Sequence, residues 1–336
     1  MMAHILSGKL RKIIDFGYYY IKSMRLYYSF VTGISGWIGL EFYQHIASDY
    51  ATVEVLTPTI KKIVIVIMLF GAWGINQIVN DFLGMKEDRI NAPNRPMISG
   101  KLNPFFAVLV SAIIMTAMGV VTLLYLEPVA LIPLFTGCIL NILYEYMKAY
   151  GIWGNIVFGL MITQCTIFGF FASGPVGVVA TKSRVSILLL LWIMNGIMTF
   201  YTYFKDYEGD KKNKIETLVV KFDIKGARII AFILSFVPIL VFLFIYINDF
   251  VVARVNNVFI FLALVTLMLQ VHNGYLFYKY PKGDKTYYSL SNNFRAYVCA
   301  QAALISLFNK EMSLMLYIIS YILIGFFFDL YKDTLC

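Results

Sequence analysis

Long apolar runs, separated by short polar segments, recur along the whole of this 336-residue sequence. An α-helix needs about 20 apolar residues to cross the roughly 30 Å of hydrocarbon in a bilayer. Only helices and closed barrels satisfy all backbone hydrogen bonds in lipid, and runs of this length are helical. The pattern predicts an all-α fold, a polytopic membrane bundle of nine or ten transmembrane helices. The run at 294–308 is shorter and more polar, which indicates a tilted or partial span.

The distribution of charge supports a membrane protein and predicts its orientation. The chain is 60% hydrophobic and 14% charged, whereas soluble domains carry about a quarter charged residues. Its net charge of +9 does not indicate a nucleic-acid partner, because the cations lie in short segments between spans, where they set orientation. The cation-rich segments are the N-terminus, 85–103, Lys148, 206–227 and 279–295. These alternate with cation-poor segments, which predicts that they face the cytoplasm.

The domain prediction follows from the same pattern. Residues 1–26 are expected to form a basic cytoplasmic N-terminal segment and residues 27–336 a single transmembrane domain, since no inter-span segment is long enough for a soluble domain. We expect a multi-pass protein of the cell membrane, in contact with membrane lipids. The N-terminus and the two most polar loops should share the cytoplasmic face.

Two polar segments on that predicted face carry acidic residues at helical spacing. "NQIVNDFLGMKEDRINAPNRPMISGKL" spans residues 76–102, and "TFYTYFKDYEGDKKNKIETLVVKFD" spans 199–223. Asp81 and Asp88 are seven residues apart, and Asp206 and Asp210 are four apart, so each pair can project from one helix face. Mg²⁺ is usually held by one or two carboxylates and completes its shell with phosphate and water. A single acid at a helix end is usually just solvated, but two facing pairs favour a magnesium and diphosphate site.

The amino-acid sequences of both segments resemble motifs of a known family. "NDFLGMKEDRINAPNRPMISG" resembles the first Asp-rich motif of the UbiA superfamily of intramembrane prenyltransferases, N-D-x-x-D-x-x-x-D followed by N-x-P-x-R-P and S-G. "DYEGDKKNKIETL" is similar to the second motif, D-x-E-G-D followed by Thr-Leu. The resemblance implies a nine-span bundle around a central cavity and an enzyme that uses Mg²⁺. It also implies transfer of the prenyl group of a polyprenyl diphosphate to an aromatic or other lipophilic acceptor.

The resemblance implies roles only for residues that match the family motifs. It implies that four carboxylates are catalytic and that, with Asn80, they bind the metal: Asp81, Asp88, Asp206 and Asp210. Arg95 and Lys211 are similar to cations that contact the diphosphate, and "YEYMKAYGIWGN" resembles a Tyr-containing stretch of the family. Asn76, one turn before Asn80, is a further oxygen donor. The predicted substrate-binding residues are therefore Asn76, Asn80, Arg95, Tyr144, Lys148, Asn155 and Lys211.

The sequence also departs from the family pattern. Gly84 stands where the first motif has its middle acid, and Tyr203 stands where the second motif often opens with Asp. Asn80, Gly84 and Asp88 lie on one helical stripe, so Gly84→Asp should either lower the Mg²⁺ requirement or, if the glycine makes room, abolish activity.

Two alternatives to prenyl transfer remain open at this point. "NQ…EDRIN.P.RP" and "DKTYYSLSNNFRAY" are similar to the membrane-bound terpene cyclases of the superfamily, which cyclise the prenyl diphosphate. A transporter is the more distant alternative, because polar residues in spans also mark transport paths. The sequence does not define the prenyl length, the acceptor or the oligomeric state.

Overall fold

The computed structural model of the protein describes residues 2–46, 57–176, 180–250, 255–283 and 285–332. Within these ranges the chain is almost entirely helical, which confirms the predicted all-α bundle. The helices are α1 (Met2–Met24), α2 (Ser29–Ile46), α3 (Thr59–Leu83), α4 (Met85–Asn91), α5 (Pro104–Tyr125), α6 (Leu131–Met147), α7 (Ile152–Ser173), α8 (Lys182–Lys212), α9 (Leu218–Leu234), α10 (Val237–Ile247), α11 (Asn257–Lys279), α12 (Lys285–Ile305) and α13 (Lys310–Leu330).

Short elements connect these helices. Single 3₁₀ turns precede α2 and α6, at Leu26–Tyr28 and Pro128–Ala130. Two two-residue strands, β1 (Tyr150–Gly151) and β2 (Glu216–Thr217), pair in parallel, with Tyr150 opposite Glu216. This pairing joins the start of α7 to the start of α9.

In the described part of the chain, eight helical segments are long and apolar enough to cross a membrane. One of them, residues 218–247, consists of α9 and α10 together. Pro238 lies in the first turn of α10, where its missing N–H costs the helix no hydrogen bond. α2 and α12 are of comparable length but less apolar, and they lie in the interior of the bundle.

Four helices form the centre of the bundle. α2 packs on α7, α7 on α8, α8 on α12, and α12 on α2, so that the four close a ring. Seventeen of the 21 residues of α12 are buried, which explains why its sequence is less apolar than a lipid-facing span. Polar side chains inside this ring form hydrogen bonds with one another. The Ser35 hydroxyl donates to Gln301 at 3.0 Å, and the Gln301 amide donates to Asn195 at 3.0 Å.

Small residues allow the closest of these contacts. At Gly39 in α2 an added Cβ would overlap the carbonyl oxygen of Thr166 in α7, and at Gly169 it would overlap the carbonyl oxygen of Gly36. Small residues at a membrane helix interface let the two backbones approach closely. The remaining helices flank the ring, with α3, α5 and α6 on the α7 side and α9, α11 and α13 against α8 and α12.

Two features of the fold position the polar segments. α3 ends at Leu83, and after one break at Gly84 the chain continues as the short helix α4. α8 is 31 residues long, about 46 Å at 1.5 Å per residue, so it extends beyond the length that a bilayer core requires. The last turns of α8 therefore lie beside α4. We call this region, where α3 and α8 end, the Asp-rich end of the bundle.

Candidate active site

A polar cavity of about 760 Å³ lies at the Asp-rich end. α3, α4, the loop after α4, α6 and α8 all contribute side chains to its wall. Although the two acidic segments are more than 100 residues apart in sequence, the fold brings both to this cavity. Eight of the eleven residues predicted from sequence line it, namely Asn80, Asp81, Asp88, Arg95, Tyr144, Lys148, Asp206 and Asp210.

A direct contact between α4 and α8 holds the two acidic segments together. The backbone N–H of Gly209 donates to Oδ1 of Asn91 at 3.0 Å. A Cβ at position 209 would overlap the side chain of Asn91. The glycine within "DYEGD" is thus needed for the close approach of α4.

An ion pair buried in the wall of the cavity involves a residue from the N-terminal segment. Nη2 of Arg25 lies 2.5 and 2.7 Å from the two carboxylate oxygens of Asp81, and both side chains are 3% exposed. Gln77 also donates to Asp81, at 2.8 Å. Burial lowers the pKa of Arg25, but Asp81 and the other groups around it together outweigh this effect, so that the pKa of Arg25 is raised and the guanidinium stays charged. Both oxygens of Asp81 are therefore engaged by protein groups.

Arg95 links the two acids of the first motif. Its guanidinium pairs with the carboxylate of Asp88 and lies 3.4 Å from Oδ1 of Asp81. Burial raises the pKa of Asp88 above the ordinary value, although the adjacent Arg95 acts to lower it. Arg95, predicted as a diphosphate-contacting cation, thus lies between the two acids at the cavity wall.

A second pair comes from the end of α6. Nζ of Lys148 lies 2.5 Å from Oε2 of Glu145, and both side chains are mostly buried. Burial lowers the pKa of Lys148, but Glu145 together with the other groups around it outweighs this effect, so the pKa is raised and the ammonium is charged. These two residues face Gly84 across the cavity.

Three of the predicted residues lie outside the lining of the polar cavity. Asn76 faces a neighbouring apolar cavity. The amide of Asn155 donates to the carbonyl of Gly196 at 2.9 Å, which ties α7 to α8. Lys211 is 59% exposed and donates to the Tyr207 hydroxyl at 2.8 Å.

Several lining residues were not among the predicted ones, in particular Arg25, Glu87, Glu145 and Lys205. In the sequence Arg25 is one of several cations at the entry to a span, and nothing there distinguishes it. Glu145 does carry a signal, because an acid within an apolar span is costly and usually functional. It stands between Tyr144 and Lys148, both of which were identified.

The composition of the lining suits a divalent cation. Six carboxylates and four cationic side chains line the cavity, an excess of two formal negative charges. Oδ1 of Asn80 and Oε2 of Glu87 are buried without a hydrogen-bond partner, and such atoms cost free energy unless something binds them. Oxygen donors of this kind are the ligands that Mg²⁺ selects.

Among the described residues, no three acidic, histidine or cysteine side chains are close enough to hold one ion. The donor set therefore fits a metal whose shell is completed by a ligand.

An apolar cavity of about 500 Å³ lies behind the polar one. Trp73 lines both, and the rest of the wall of the apolar cavity is formed mainly by apolar side chains of α3, α5, α6 and α7. The site thus combines a charged mouth with a hydrocarbon-lined interior, as a ligand with an anionic head and an apolar tail requires.

Sequence comparison places these features in a family. A sequence model of the UbiA prenyltransferase family matches residues 50–298. Digeranylgeranylglyceryl phosphate synthase of Sulfolobus acidocaldarius is 29% identical over 227 residues, covering 66% of this chain and 79% of that protein. The corresponding protein of Methanocaldococcus jannaschii is 27% identical over 222 residues, covering 66% and 73%.

Solved structures share the fold. A UbiA homolog from Archaeoglobus fulgidus bound to DMAPP and Mg²⁺ superposes with a TM-score of 0.61 at 13% identity, covering 93% of this chain and 99% of that one. The same homolog bound to GPP and Mg²⁺ gives a TM-score of 0.58 at 14% identity, covering 94% and 99%. The family match spans most of the sequence and includes both acidic segments, so the resemblance is confirmed. The chain belongs to the UbiA prenyltransferase family.

Proposed function

We propose that this protein is a Mg²⁺-dependent prenyltransferase that ionises a polyprenyl diphosphate at the Asp-rich end and joins the prenyl group to a lipophilic acceptor. The observation that carries the proposal is the convergence of both acidic segments on one polar cavity that lies next to an apolar one, with Trp73 in the walls of both. The diphosphate would lie at the charged mouth and the prenyl chain in the apolar part.

We assign magnesium binding to the carboxylates and amide that face the cavity. Asp210 is 5% exposed and has no ion-pair partner among the described residues, and Asn80 presents an unsatisfied buried oxygen. Asp88 and Asp206 complete the set, because each has only one oxygen paired with a cation, whereas Arg25 engages both oxygens of Asp81. Mg²⁺ held there would neutralise the negative charge that develops on the departing diphosphate.

The chain's own cations support the same step. Arg95 and Lys148 lie in the lining, and an Arg guanidinium offers a two-pronged donor to phosphate. The C1–O bond of the allylic diphosphate breaks with both electrons leaving on the diphosphate. An acceptor oxygen then forms a bond to C1 and gives its proton to a diphosphate oxygen. Charged donors act most strongly where water is excluded.

Aromatic rings surround the inner part of the polar cavity. The rings of Tyr28 and Trp73 stack at 4.7 Å between centroids, Trp73 meets Phe158 at 5.4 Å, and Phe158 meets Tyr144 at 5.2 Å. The negative face of an aromatic ring attracts a cation. These rings would stabilise the allylic cation and shield it from water.

The relatives suggest the class of acceptor. Their name denotes a product with two geranylgeranyl groups on a glyceryl phosphate. We propose that the acceptor here is a lipid alcohol of this class, a glyceryl phosphate that already carries one prenyl ether.

The proposed orientation rests on the distribution of cations. The Asp-rich end, the N-terminus and the cation-rich loops are assigned to the cytoplasmic side by the positive-inside rule. The division into a basic segment 1–26 and a transmembrane domain 27–336 stays a prediction. The placement of Arg25 at the cavity supports a structural link between the two.

The test is a product analysis with the purified full chain in detergent. We would supply geranyl, farnesyl and geranylgeranyl diphosphates with Mg²⁺, with and without a mono-geranylgeranyl glyceryl phosphate. The expected product has the combined mass of donor and acceptor less diphosphoric acid, and it forms only when both are present. A cyclic hydrocarbon or alcohol formed without acceptor would assign the protein to cyclisation instead. If no diphosphate is released from any donor, the proposed function is wrong.

A further inference from the structure

The position of the missing acid of the first motif is marked by Gly84, at the break between α3 and α4. Its backbone has φ −87° and ψ 11°, which any residue adopts. Conformation therefore does not require glycine at this position. A Cβ built there would lie 3.1 Å from the carbonyl oxygen of Asn80, 3.6 Å from Oε2 of Glu145 and 3.8 Å from Nζ of Lys148.

A carboxylate already occupies the space that a side chain at position 84 would enter. An aspartate carries its carboxylate one bond beyond the Cβ, so its oxygens and those of Glu145 would compete for the same part of the cavity. The Glu145 side chain is 10% exposed and is held by Lys148 at 2.5 Å. It lines the same cavity as Asp88 and Asp210.

We propose that Glu145, reaching in from α6, supplies to the metal and diphosphate site the carboxylate that position 84 does not. This inference rests on the proposed function and assigns a metal-site role to a residue outside both acidic segments. It also accounts for the glycine, because a second acid at position 84 would bring two carboxylates into contact. Lys148 holds the Glu145 carboxylate in place, with 2.5 Å between Nζ and Oε2.

The competing explanation is that Glu145 only neutralises Lys148. The two explanations differ in what an acid at position 84 does once Glu145 is gone. If the carboxylate serves the metal, an aspartate at position 84 can replace it from the other side of the cavity. If the pair with Lys148 is all that matters, the new carboxylate brings no recovery of metal binding.

The experiment measures Mn²⁺ binding by EPR to the full-length protein in detergent, with inorganic diphosphate as the probe ligand. The variants are Glu145→Gln, Gly84→Asp and the double variant. Glu127→Gln is the matched control, because it removes a Glu–Lys pair of similar length, 2.8 Å to Lys61, in the turn between α5 and α6. Thermal unfolding checks that each variant is folded.

We expect Glu145→Gln to weaken Mn²⁺ binding by about tenfold or more, the size of effect that groups supporting a metal site produce. Gly84→Asp alone should also weaken binding, because of repulsion between the two acids. The Mn²⁺ affinity of the double variant should return to within about threefold of the wild-type affinity, a margin that covers the usual scatter of double-mutant cycles. The control should bind Mn²⁺ as wild type does.

Two outcomes would overturn the inference. One is unchanged Mn²⁺ affinity in Glu145→Gln, and the other is a double variant that binds no better than Glu145→Gln. A wild-type protein that binds no Mn²⁺ in the presence of diphosphate would instead count against the proposed function. The two failures are thus distinguishable.

Discussion

At the residue scale, the acids of the cavity fall into two groups. Asp81 has both oxygens engaged by Arg25 and Gln77, so in this state it positions cations at the wall. Asp210 has no ion-pair partner among the residues that the structure describes, although it is almost fully buried. An uncompensated buried carboxylate is costly, which makes Asp210 the clearest candidate for contact with a bound cation.

Asp210→Asn tests that assignment. The amide keeps the shape but removes the charge, so we expect turnover to fall by about 10²-fold or more, as for the loss of one group that stabilises transition-state charge. Turnover is measured as diphosphate release, and circular dichroism in detergent checks folding. Glu208→Gln is the matched control on the same helix, because its side chain is 72% exposed and pairs with Lys282. Near-normal turnover of Asp210→Asn would remove the second segment from the mechanism.

The Arg25–Asp81 pair predicts a coupled effect on stability. Breaking a buried ion pair by removing one partner costs about 3–5 kcal/mol, so Asp81→Asn should lower the thermal midpoint clearly. In the double variant Arg25→Met with Asp81→Asn no unpaired charge is left, and the loss should be smaller than the sum of the two single losses. Thermal unfolding in detergent provides the measurement. Strict additivity would show that the pair does not contribute as a unit.

At the scale of elements, two helix contacts determine where the acids lie. The Asn91–Gly209 hydrogen bond fixes α4 against the extension of α8. Deeper in the bundle, the glycines of α2 and α7 allow these helices to touch backbone to backbone. The same inner ring carries α8, so the positions of Asp206 and Asp210 depend on packing well away from the cavity.

Gly39→Ala tests the inner contact. The added methyl group would overlap a backbone oxygen of α7, which cannot move aside as a flexible side chain does. Overpacking of this kind costs about 1–3 kcal/mol or more. We expect a lower thermal midpoint and a loss of folded protein on size exclusion. Gly119→Ala in α5 is the control, since a Cβ there meets nothing within 4 Å. Equal midpoints for the two variants would contradict the close packing.

At the scale of the whole molecule, the polar cavity of the Asp-rich end and the apolar cavity are neighbours that share Trp73 in their walls. The apolar cavity lies between α3, α6 and α7, and Gly137 of α6 forms part of its wall. Because the cavity is fixed by rigid helices rather than by a loop, its size should limit the length of the prenyl chain.

Gly137→Phe tests this limit. A phenyl ring in the wall would shorten the apolar cavity, and we expect kcat/KM to fall about tenfold more for geranylgeranyl diphosphate than for geranyl diphosphate, a difference of about 1.4 kcal/mol. The control is Thr116→Phe, on the exposed side of α5. If Gly137→Phe leaves the preference between the two donors unchanged, the chain does not lie in this cavity.

The sequence alone determined much of the architecture, because a bilayer imposes simple rules. Apolar runs of about 20 residues must be helices, and the structure has helices at these runs. Asn80 and Asp88 were assigned to one site because helical spacing and family resemblance agree, and Arg95 was assigned by the resemblance alone. The structure brings all three together at one cavity. The less apolar run near α12 was expected to be a tilted or partial span. The structure has a helix of 21 residues there, and its polar side chains lie among the buried residues.

Only the tertiary structure decided which residues from other segments complete the cavity. Arg25 lies 56 positions before Asp81, and Glu145 lies 57 positions after Asp88. No local pattern connects Arg25 to the motifs, and the signal that Glu145 carries as an acid in an apolar span does not say which residues it faces. The proximity of both residues to the motifs arises from helix packing. The sequence alone also could not show that Lys211 faces away from the cavity while Lys148 lines it. Lys148 directly follows α6, and Lys211 directly follows Asp210 near the end of α8. The direction in which each side chain points depends on where its helix lies in the bundle.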